Sequence, residues 1–572
     1  MPFENGSRML SHPFANTGRK GWGNPATLHW IDFKLEYEDR MERRDILKMA
    51  GIAAAAATPM AAGAVETHEH RPKSGPIDDW VSVRQHGAKG DGATADTPAI
   101  NKAIEAVAAA GGGTVYFPAG VYLSYSIHLK SKVGLYLDHG AVILAGPTPH
   151  EGTTTGGYDA AEPQGEWEPY QDYGHNHWHN SLLWGEDLDQ VSIFGPGLIW
   201  GKGLSRAHDD DTDLPKDGSP GVGNKAIALK NCRNVLLRDF RILRGGWFGV
   251  LATGVDNLTI DNLLIDTNRD GIDIDCCRNV RVSNCAVNSP WDDAICPKSS
   301  YALGHARVTE NVTISNCYVT GDFQIGSMLD GTWKRGNLGR EVPTGRIKMG
   351  TESNGGFKSI AISNCIFESC QGLAIESEDG AIIEDITFTG ITMRDIRSAP
   401  IFVRLGTRLR GPAGTQPGSI RNIIISNVTS TGASRVPSIV SGVPGHSIEN
   451  VKVSDVFLEQ AGGGSAEMAA IEPQENEAKY PDPHMFGDLP ATGFFLRHAR
   501  NVEMSNVEIA TINADARPAF WLHDVDGADF FRTRVPRGSE PAFDLRQVKD
   551  FRSFGAQHMA DVSLESVDTR KI

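Results

Sequence analysis

The sequence predicts an all-β fold, a right-handed parallel β-helix, and three observations support this prediction. First, the phrase "Asn, apolar, x, apolar, x, Asn or Asp" recurs exactly or in close variants, beginning at positions 234, 257, 279, 311, 359, 385, 422, 450 and 501. Second, the tightest copies (234 to 257, 257 to 279) are 23 and 22 residues apart, a period typical of stacked repeats. Third, apolar residues alternate with polar ones, and Asn and Gly at the ends suit sharp corners between strands.

The N-terminal part of the chain indicates export. Residues 1–40 show no periodicity, and we interpret them as an upstream extension outside the true reading start at Met41. Arg43-Arg44, the apolar run Met49–Ala61 and the small residues before Val65 together are typical of a twin-arginine signal peptide over 41–64. We therefore expect a periplasmic or secreted bacterial protein.

A single β-helix domain is predicted over 76–572, with an N-terminal cap at about 76–125. Strand-like Val81–Val83 and the strand starting at Val115 flank a helix predicted over Ala99–Ala110. Asp96 is placed as its N-cap and Pro98 in its first turn. Since the terminal coil of a solenoid needs covering, we expect this helix to cap the open end.

The stretch from Asn268 to Lys298 carries the candidate chemistry. Asp270 stands about 20 residues before the pair Asp292-Asp293, with a strand pattern from Val280 to Val287 between them. Residues one coil apart in a β-helix lie about 4.8 Å from each other. The spacing therefore predicts one patch of three carboxylates.

Two motifs resemble known families. The segments 87–92 (GAKGDG) and 112–122 (GGTVYFPAGVY) are similar to the opening of the pectate-lyase-like β-helix superfamily. Asn268-x-Asp270-Gly-Ile-Asp273 and Asp292-Asp293 resemble the signature of glycoside hydrolase family 28, the polygalacturonase family, and this similarity covers roughly 76–460.

The resemblance implies hydrolysis of a pectin-type polysaccharide or oligosaccharide (galacturonan or rhamnogalacturonan) with inversion at the anomeric carbon. It makes Asp292 the general acid and assigns Asp270 and Asp293 to the attacking water. Crowded carboxylates raise each other's pKa, which helps one of them to stay protonated. The expected substrate-binding residues are Asn268, Asp273, Lys298, Arg346, Lys348, Glu352, Glu376 and Arg404.

The sequence departs from the family pattern after the Asp pair. The family's Gly-His-Gly is missing, and an insertion-like segment at 324–344 follows. By simple spacing, Arg346-Ile-Lys348 occupies the place of the family's Arg-Ile-Lys; by repeat alignment, which we favour, Ala374-Ile-Glu376 does. Glu376 would repel a uronate at the cleavage site. Either Arg346 and Lys348 therefore reach the carboxylate of that uronate from the neighbouring coil, or the sugar at the cleavage site is neutral, such as rhamnose.

Three further motifs leave alternatives open. His175, His177 and His179 could bind a metal, line a sugar groove or lie on the surface. The segment 209–213 (DDDTD) resembles a calcium loop but lacks the Gly at position six, so we interpret it as a solvated loop. Arg404, Arg408 and Arg410 could bind uronates at a distal subsite or form a solvated turn.

Composition restricts the partners. The formal net charge is −16, with 55 Lys and Arg against 71 Asp and Glu, which argues against a nucleic-acid partner. All eight Cys lie between Cys232 and Cys370, and Cys285, Cys317 and Cys365 occupy the same repeat slot, which favours an inward stack over disulfides or metal. We expect no cofactor, no bound metal, no membrane span and a monomer.

The C-terminal part, about 460–572, is predicted to hold the last coils and loops. Residues 472–490 are rich in Pro and charge and predict a long loop, whereas 501–526 regain strand alternation. Two other functions remain open for such a fold. One is a polysaccharide lyase, and the other is a non-catalytic polysaccharide-binding β-helix.

Overall fold

The structure, a computed structural model, describes residues 80–147, 157–172, 174–205, 219–335, 342–432, 434–536 and 541–572. These residues belong to one compact unit, which runs from Ser74 to Ile572. The fold is the predicted parallel β-helix: three parallel sheets run along it, and each coil adds one strand to each sheet. The proposed signal at 41–64, the extension at 1–40 and the acidic loop at 209–213 lie outside the described residues.

The site sheet, named for the carboxylates that it carries, is the first of the three. Its strands are Ile127–His128, Leu183–Glu186, Lys225–Lys230, Phe248–Thr253, Asp270–Asp275, Ile295–Lys298, Lys348–Met349, Leu373–Ser377, Ile401–Leu405 and Ser438–Ser441, followed by the first parts of Phe494–Thr511, Phe520–Phe531 and Phe543–Phe554.

The second and third sheets complete each coil. The second contains Val81–Ser82, Gly113–Phe117, Val133–Leu137, Asp189–Phe194, Arg233–Arg238, Asp256–Asp261, Arg278–Ser283, Thr309–Ser315 and Phe357–Ser363. The third contains Asp91–Ala95, Gly120–Ser124, Ala141–Ala145, Leu198–Trp200, Arg241–Leu243, Leu264–Asp266, Ala286–Asn288, Tyr318–Thr320 and Ile366–Glu368. Later strands bend through both sheets: Ile382–Ile396, Ser419–Gly432 and Ile448–Gln460.

Asparagine ladders form the corners between strands, as the repeat predicted. Asn257 and Asn279 adopt left-handed backbone, with φ of 57° and 56°, a conformation that Asn tolerates better than most residues. The side-chain amide of Asn279 donates to Asn257 Oδ1 at 3.2 Å, and Asn311 donates to Asn279 Oδ1 at 3.2 Å. A second such corner at Asn284 (φ 57°) divides the predicted 280–287 strand into two, which the alternation alone did not show.

Both ends of the β-helix are covered. The helix Thr97–Ala109 buries Ile100, Ala103, Ile104 and Val107 against the first coils. Asp96 occupies the N-cap position, as predicted, but its side chain does not cap the helix. Its carboxylate instead accepts hydrogen bonds from the backbone N–H groups of Lys89 and Gly90, at 2.7 and 2.9 Å. At the other end the antiparallel strand Val562–Lys571 closes the last coil.

The remaining short elements lie outside the coils. They are the α-helix Ala466–Ala469, the 3₁₀ helices Val83–His86, Glu168–Tyr170 and Pro483–Phe486, and the antiparallel hairpin formed by Phe323–Ile325 and Lys334–Arg335. All eight cysteines are buried and free. Cys317 interacts with both Cys285 and Cys365, as expected for the predicted inward stack. Among the described residues, no helix has the length and apolarity to cross a membrane.

Candidate active site

The fold brings Asp270, Asp292 and Asp293, the carboxylate triad, into one patch. One oxygen from each lies within 4.8 Å of the others. Asp270 begins a site-sheet strand, and the other two precede the next strand of that sheet, which starts at Ile295. The backbone N–H of Asp293 donates to Asp270 Oδ1 at 3.0 Å and to Asp292 Oδ1 at 3.1 Å. The spatial prediction from the one-coil spacing is therefore confirmed.

A buried lysine joins the triad to other carboxylates. Lys298 Nζ lies 3.2 Å from Glu352 Oε2, 3.7 Å from Asp270 Oδ2 and 3.8 Å from Asp273 Oδ2. Asp273 is fully buried, and neither of its oxygens accepts a hydrogen bond. The triad thus adjoins a buried cluster formed by Lys298, Glu352 and Asp273. Asn268 lies beside the triad, and its carbonyl oxygen accepts a hydrogen bond from the Trp291 N–H at 2.9 Å.

Arg346 and Lys348 both bind Asp293. Lys348 Nζ lies 2.5 Å from Asp293 Oδ2, and Arg346 Nε donates to Asp293 Oδ1 at 3.0 Å. Both cationic side chains are only 4% exposed. Glu376 is fully buried beyond them, with one oxygen 3.7 Å from Arg346 Nη2.

Strand pairing places these cations on the coil directly after the Asp pair. Ile347 pairs with Ile295, and on the following coil Ala374 pairs with Lys348. Ala374 and Glu376 therefore lie two coils beyond the Asp pair, one coil after Arg346 and Lys348. The repeat alignment, which equates Ala374-Ile-Glu376 with the family's Arg-Ile-Lys, stays a prediction. This chain carries cations on the first of these coils and a carboxylate on the second.

The surroundings give the carboxyl groups different pKa values. Burial raises the pKa of Asp293, but Lys348 and Arg346 more than offset this and hold it at about 2. Burial, together with Asp273 and Asp292, raises the pKa of Asp270 well above its usual range, although Lys298 opposes the shift. Burial likewise raises the pKa of Glu376 to about 7, against the opposing effect of Lys348 and Arg346. The surroundings therefore favour the ionised form of Asp293 and the neutral form of Asp270.

Asp292 is the most accessible member of the triad. Its side chain is 25% exposed, and Asp292 Oδ2 lies 2.7 Å from Arg269 Nη2. The Arg269 guanidinium lies over the ring of Trp247, 4.7 Å from its centroid. Asp292 is therefore the triad member that a substrate can reach most directly.

The three histidines do not converge on one point. His175 is buried between Asp273 and Glu352, at 3.9 and 3.8 Å. His177 contacts Glu168 at 2.9 Å, and His179 contacts Glu186 at 3.0 Å. The three imidazoles therefore do not form one metal site. Of the three, only His175 lies in the active site.

The predicted basic loop binds protein groups. Arg404 is 1% exposed and donates to Ser441 Oγ, Gly442 O and Glu475 O at 2.9 to 3.1 Å, so it does not reach the triad and its substrate-binding role is corrected. Arg408 forms a two-pronged pair with Asp379. Arg410 joins Glu352 (2.9 Å) to Asp172 (2.8 Å).

Sequence reasoning missed several residues at the opening of the site. Arg269, Trp247 and Trp291 are partly exposed beside Asp292, and Tyr480 is 55% exposed, its hydroxyl accepting from Thr351 Oγ1 at 3.1 Å. Arg269 could have been found, since it lies inside the Asn268–Asp270 motif. Tyr480 could not, because it comes from a loop more than 180 residues after the Asp pair.

Comparisons with known proteins agree with the β-helix fold. A family model described as "Right handed beta helix region" matches 225–411, and one described as "Rhamnogalacturonase A/epimerase, pectate lyase-like" matches 80–142. A probable polygalacturonase of Vitis vinifera is 24% identical over 56% of this chain. The exo-poly-alpha-D-galacturonosidase of Dickeya chrysanthemi is 24% identical over 61% of it. The chain spans about 62% of the length of each of these relatives.

A solved structure shows the same fold. The family 28 exopolygalacturonase of Yersinia enterocolitica superposes with a TM-score of 0.58 at 19% identity, covering 79% of this chain and 78% of that one. These findings confirm the predicted resemblance. The chain has the right-handed parallel β-helix fold and is similar in sequence to polygalacturonases.

Proposed function

We propose that this protein is a glycoside hydrolase that cleaves a pectin-type polysaccharide or oligosaccharide by inversion. The observation that carries the proposal is the geometry of the triad: one oxygen of each carboxyl group lies within 4.8 Å of the others. Their surroundings also differ, because they lower the pKa of Asp293 to about 2 and raise that of Asp270. Hydrolysis needs an acid for the leaving oxygen and a base for water, and neighbouring carboxyl groups in different surroundings can divide these two roles. The polygalacturonase relatives support the pectic substrate class.

In this proposal Asp292 protonates the leaving oxygen, because it is the exposed member of the triad. Asp293 deprotonates the attacking water, and Asp270 helps to hold that water. Carboxyl groups of inverting enzymes usually stand about 6.5–9.5 Å apart, whereas retaining pairs stand about 5–5.5 Å apart. One oxygen of each triad carboxyl group lies within 4.8 Å of the others, so the anomeric outcome tests the proposal directly. NMR of the first product should show an inverted anomer, and a retained anomer would exclude this mechanism.

The proposed substrate has a neutral sugar, such as rhamnose, at the cleavage site. Arg346 and Lys348 both form ion pairs with Asp293, and Glu376 lies beyond them. Because both cations already have a carboxylate partner, neither is positioned to bind a carboxylate of the substrate. Incubation with homogalacturonan, rhamnogalacturonan and short oligomers, with product masses recorded, tests this. Cleavage at rhamnose linkages is expected. Efficient cleavage of homogalacturonan alone would contradict the neutral-sugar assignment, and products absorbing in the ultraviolet would indicate a lyase.

A further inference from the structure

Both outward-facing rows of the site sheet are buried over the coils on either side of the triad. The first row, which contains Asp273, continues upstream through Leu251 and Ala228. Downstream it continues through Cys296, Lys348 and the apolar residues Ala374, Phe402, Ile439, Phe495 and Trp521. The second row contains Thr253, Asp275, Lys298, Glu376, Arg404, Ser441 and Arg497. Every one of these side chains is buried, so neither row is an open groove.

An upstream wall, residues 157–172 and 174–182, covers the coils before the triad. Trp178 is 2% exposed and packs on Ala228, Phe248 and Leu251. Its indole N–H donates to Thr253 Oγ1 at 3.0 Å. A polymer lying along the sheet would therefore meet this wall directly upstream of Asp270.

A downstream wall, residues 472–491, covers the coils after Lys348. Phe486, Leu489 and Ala491 pack on Phe402, Ile439, Phe495 and Trp521 in one apolar cluster. Polar contacts fix the same segment: Arg497 Nη1 donates to Pro473 O at 3.0 Å, and Arg404 Nη2 to Glu475 O at 3.1 Å. This wall is thus an anchored part of the fold.

A lateral contact joins the upstream wall to a later coil. Arg410 binds Glu352 beside the triad and Asp172 of the upstream wall, at 2.9 and 2.8 Å. The partly exposed residues near Asp292 lie on the opposite side, where the site-sheet strands begin: Trp247, Arg269, Trp291 and Asp292 itself. Among the described residues, the triad is thus covered upstream, downstream and on the Arg410 side, and its accessible side is the one at Asp292. We refer to this partly enclosed site as the pit.

We infer that the enzyme acts on chain ends or short oligosaccharides and does not cleave within a long chain. An internal linkage could reach Asp292 only with chain extending on both sides of it, and both walls occupy that space. This inference rests on the proposed function. It adds the form of substrate that the site accepts.

Polymers with free and blocked ends test the inference in the wild-type enzyme. Rhamnogalacturonan and homogalacturonan are each used untreated and with blocked ends. One block is reduction of the reducing end, and the other is an unsaturated uronate at the non-reducing end. We expect one small product size from the earliest time points, little loss of viscosity per bond broken, and strong inhibition by an end block. Mixed product sizes with early viscosity loss would overturn the inference but leave the hydrolase proposal intact. No cleavage of any substrate would instead contradict the proposed function.

Binding provides an independent measurement. Calorimetry of the Asp292→Asn variant with rhamnogalacturonan oligomers of increasing length should show affinity that stops rising after a few sugars, because the pit has a fixed depth. Affinity that keeps rising with chain length would indicate an open groove and contradict the inference.

Discussion

At the scale of single residues, the environment of each carboxylate separates groups of identical chemistry. Asp293 has two cations within 3.0 Å, whereas Asp270 is buried among other carboxyl groups. A charge partner stabilises the ionised form and burial destabilises it. The three Asp residues are therefore not interchangeable, although the sequence motif does not distinguish them.

Substitution of Lys348 by Met should move the acidic limb of the pH profile of kcat/KM to higher pH. The folded-state pKa of Asp293 is depressed to about 2 by Lys348 and Arg346, so loss of Lys348 raises it, and the base becomes protonated at higher pH. Lys358→Met, which removes an exposed lysine from the second sheet, is the control. An unchanged limb in the Lys348 variant would argue against Asp293 as the base.

Aryl glycosides separate the acid from the base. A good leaving group needs no protonation, so the acid variant should retain activity on an aryl glycoside while losing about 10²–10⁴-fold on the natural linkage. We expect this behaviour of Asp292→Asn, and loss on both substrates for Asp293→Asn. If Asp270→Asn shows this behaviour instead, Asp270 is the general acid and the assignment of Asp292 is wrong.

Glu376 gives a stability prediction. Its folded-state pKa is about 7 against an ordinary 4.5, so the folded state prefers the neutral form, and stability falls as pH rises from about 4.5 to about 7. Glu376→Gln should remove that loss, which is on the order of 3 kcal/mol. Denaturant unfolding at pH 5 and 8 measures it, with the exposed Glu503→Gln as control. An equal pH dependence in wild type and Glu376→Gln would contradict the assignment.

At the scale of elements, the corners hold the coils in a regular stack, whereas the loops shape the surroundings of the site. Corners repeat, with Asn at left-handed φ and amide ladders between coils. The loops between coils are irregular and build the two walls and the opening. Function is thus added to the regular scaffold by segments that break its period.

A corner substitution tests the first of these statements. Asn279→Ala should lower the free energy of unfolding by about 1–2 kcal/mol, because Ala is strained at φ 56° and loses the ladder bonds. Asn279→Gly should cost less, since Gly adopts this φ without strain. Equal losses in the two variants, measured by chemical denaturation, would show that the backbone conformation is not what Asn279 supplies.

The same distinction explains what the sequence could reveal. Alternation and spacing were sufficient for the coils, the corners and the meeting of Asp270 with Asp293, since stacking turns sequence period into distance. They could not place His175 against Asp273, or residues 472–491 over Phe402, because those contacts depend on how irregular loops fold back. Arg404 was misassigned for the same reason: its covering segment lies about 70 residues later.

At the scale of the whole molecule, a long stack of coils holds distant segments in fixed register. Each coil contacts mainly its neighbours, so the triad depends on local stacking and not on a central core. The capping helix and the antiparallel C-terminal strand cover the two ends of the stack. The position of the site within the stack also lets loops close over it from both directions.

Export is a prediction for the complete chain. The twin-arginine signal proposed at 41–64 should be removed, leaving a mature protein that begins at Val65. N-terminal sequencing of protein recovered outside the bacterial cytoplasm measures this. Replacement of Arg43 and Arg44 by Lys should retain the protein in the cytoplasm, whereas Arg84→Lys should not. A mature start before Val65 would contradict cleavage after Ala64.

The central claim is that stacking places Asp270, Asp292 and Asp293 on one glycosidic linkage. The most direct measurement is kcat on a pectic oligosaccharide for the three Asp→Asn variants, with Asp261→Asn, a corner residue of the second sheet, as the matched control. Each triad variant should lose about 10²–10⁴-fold while the control keeps wild-type turnover. Wild-type turnover in any triad variant would contradict the claim.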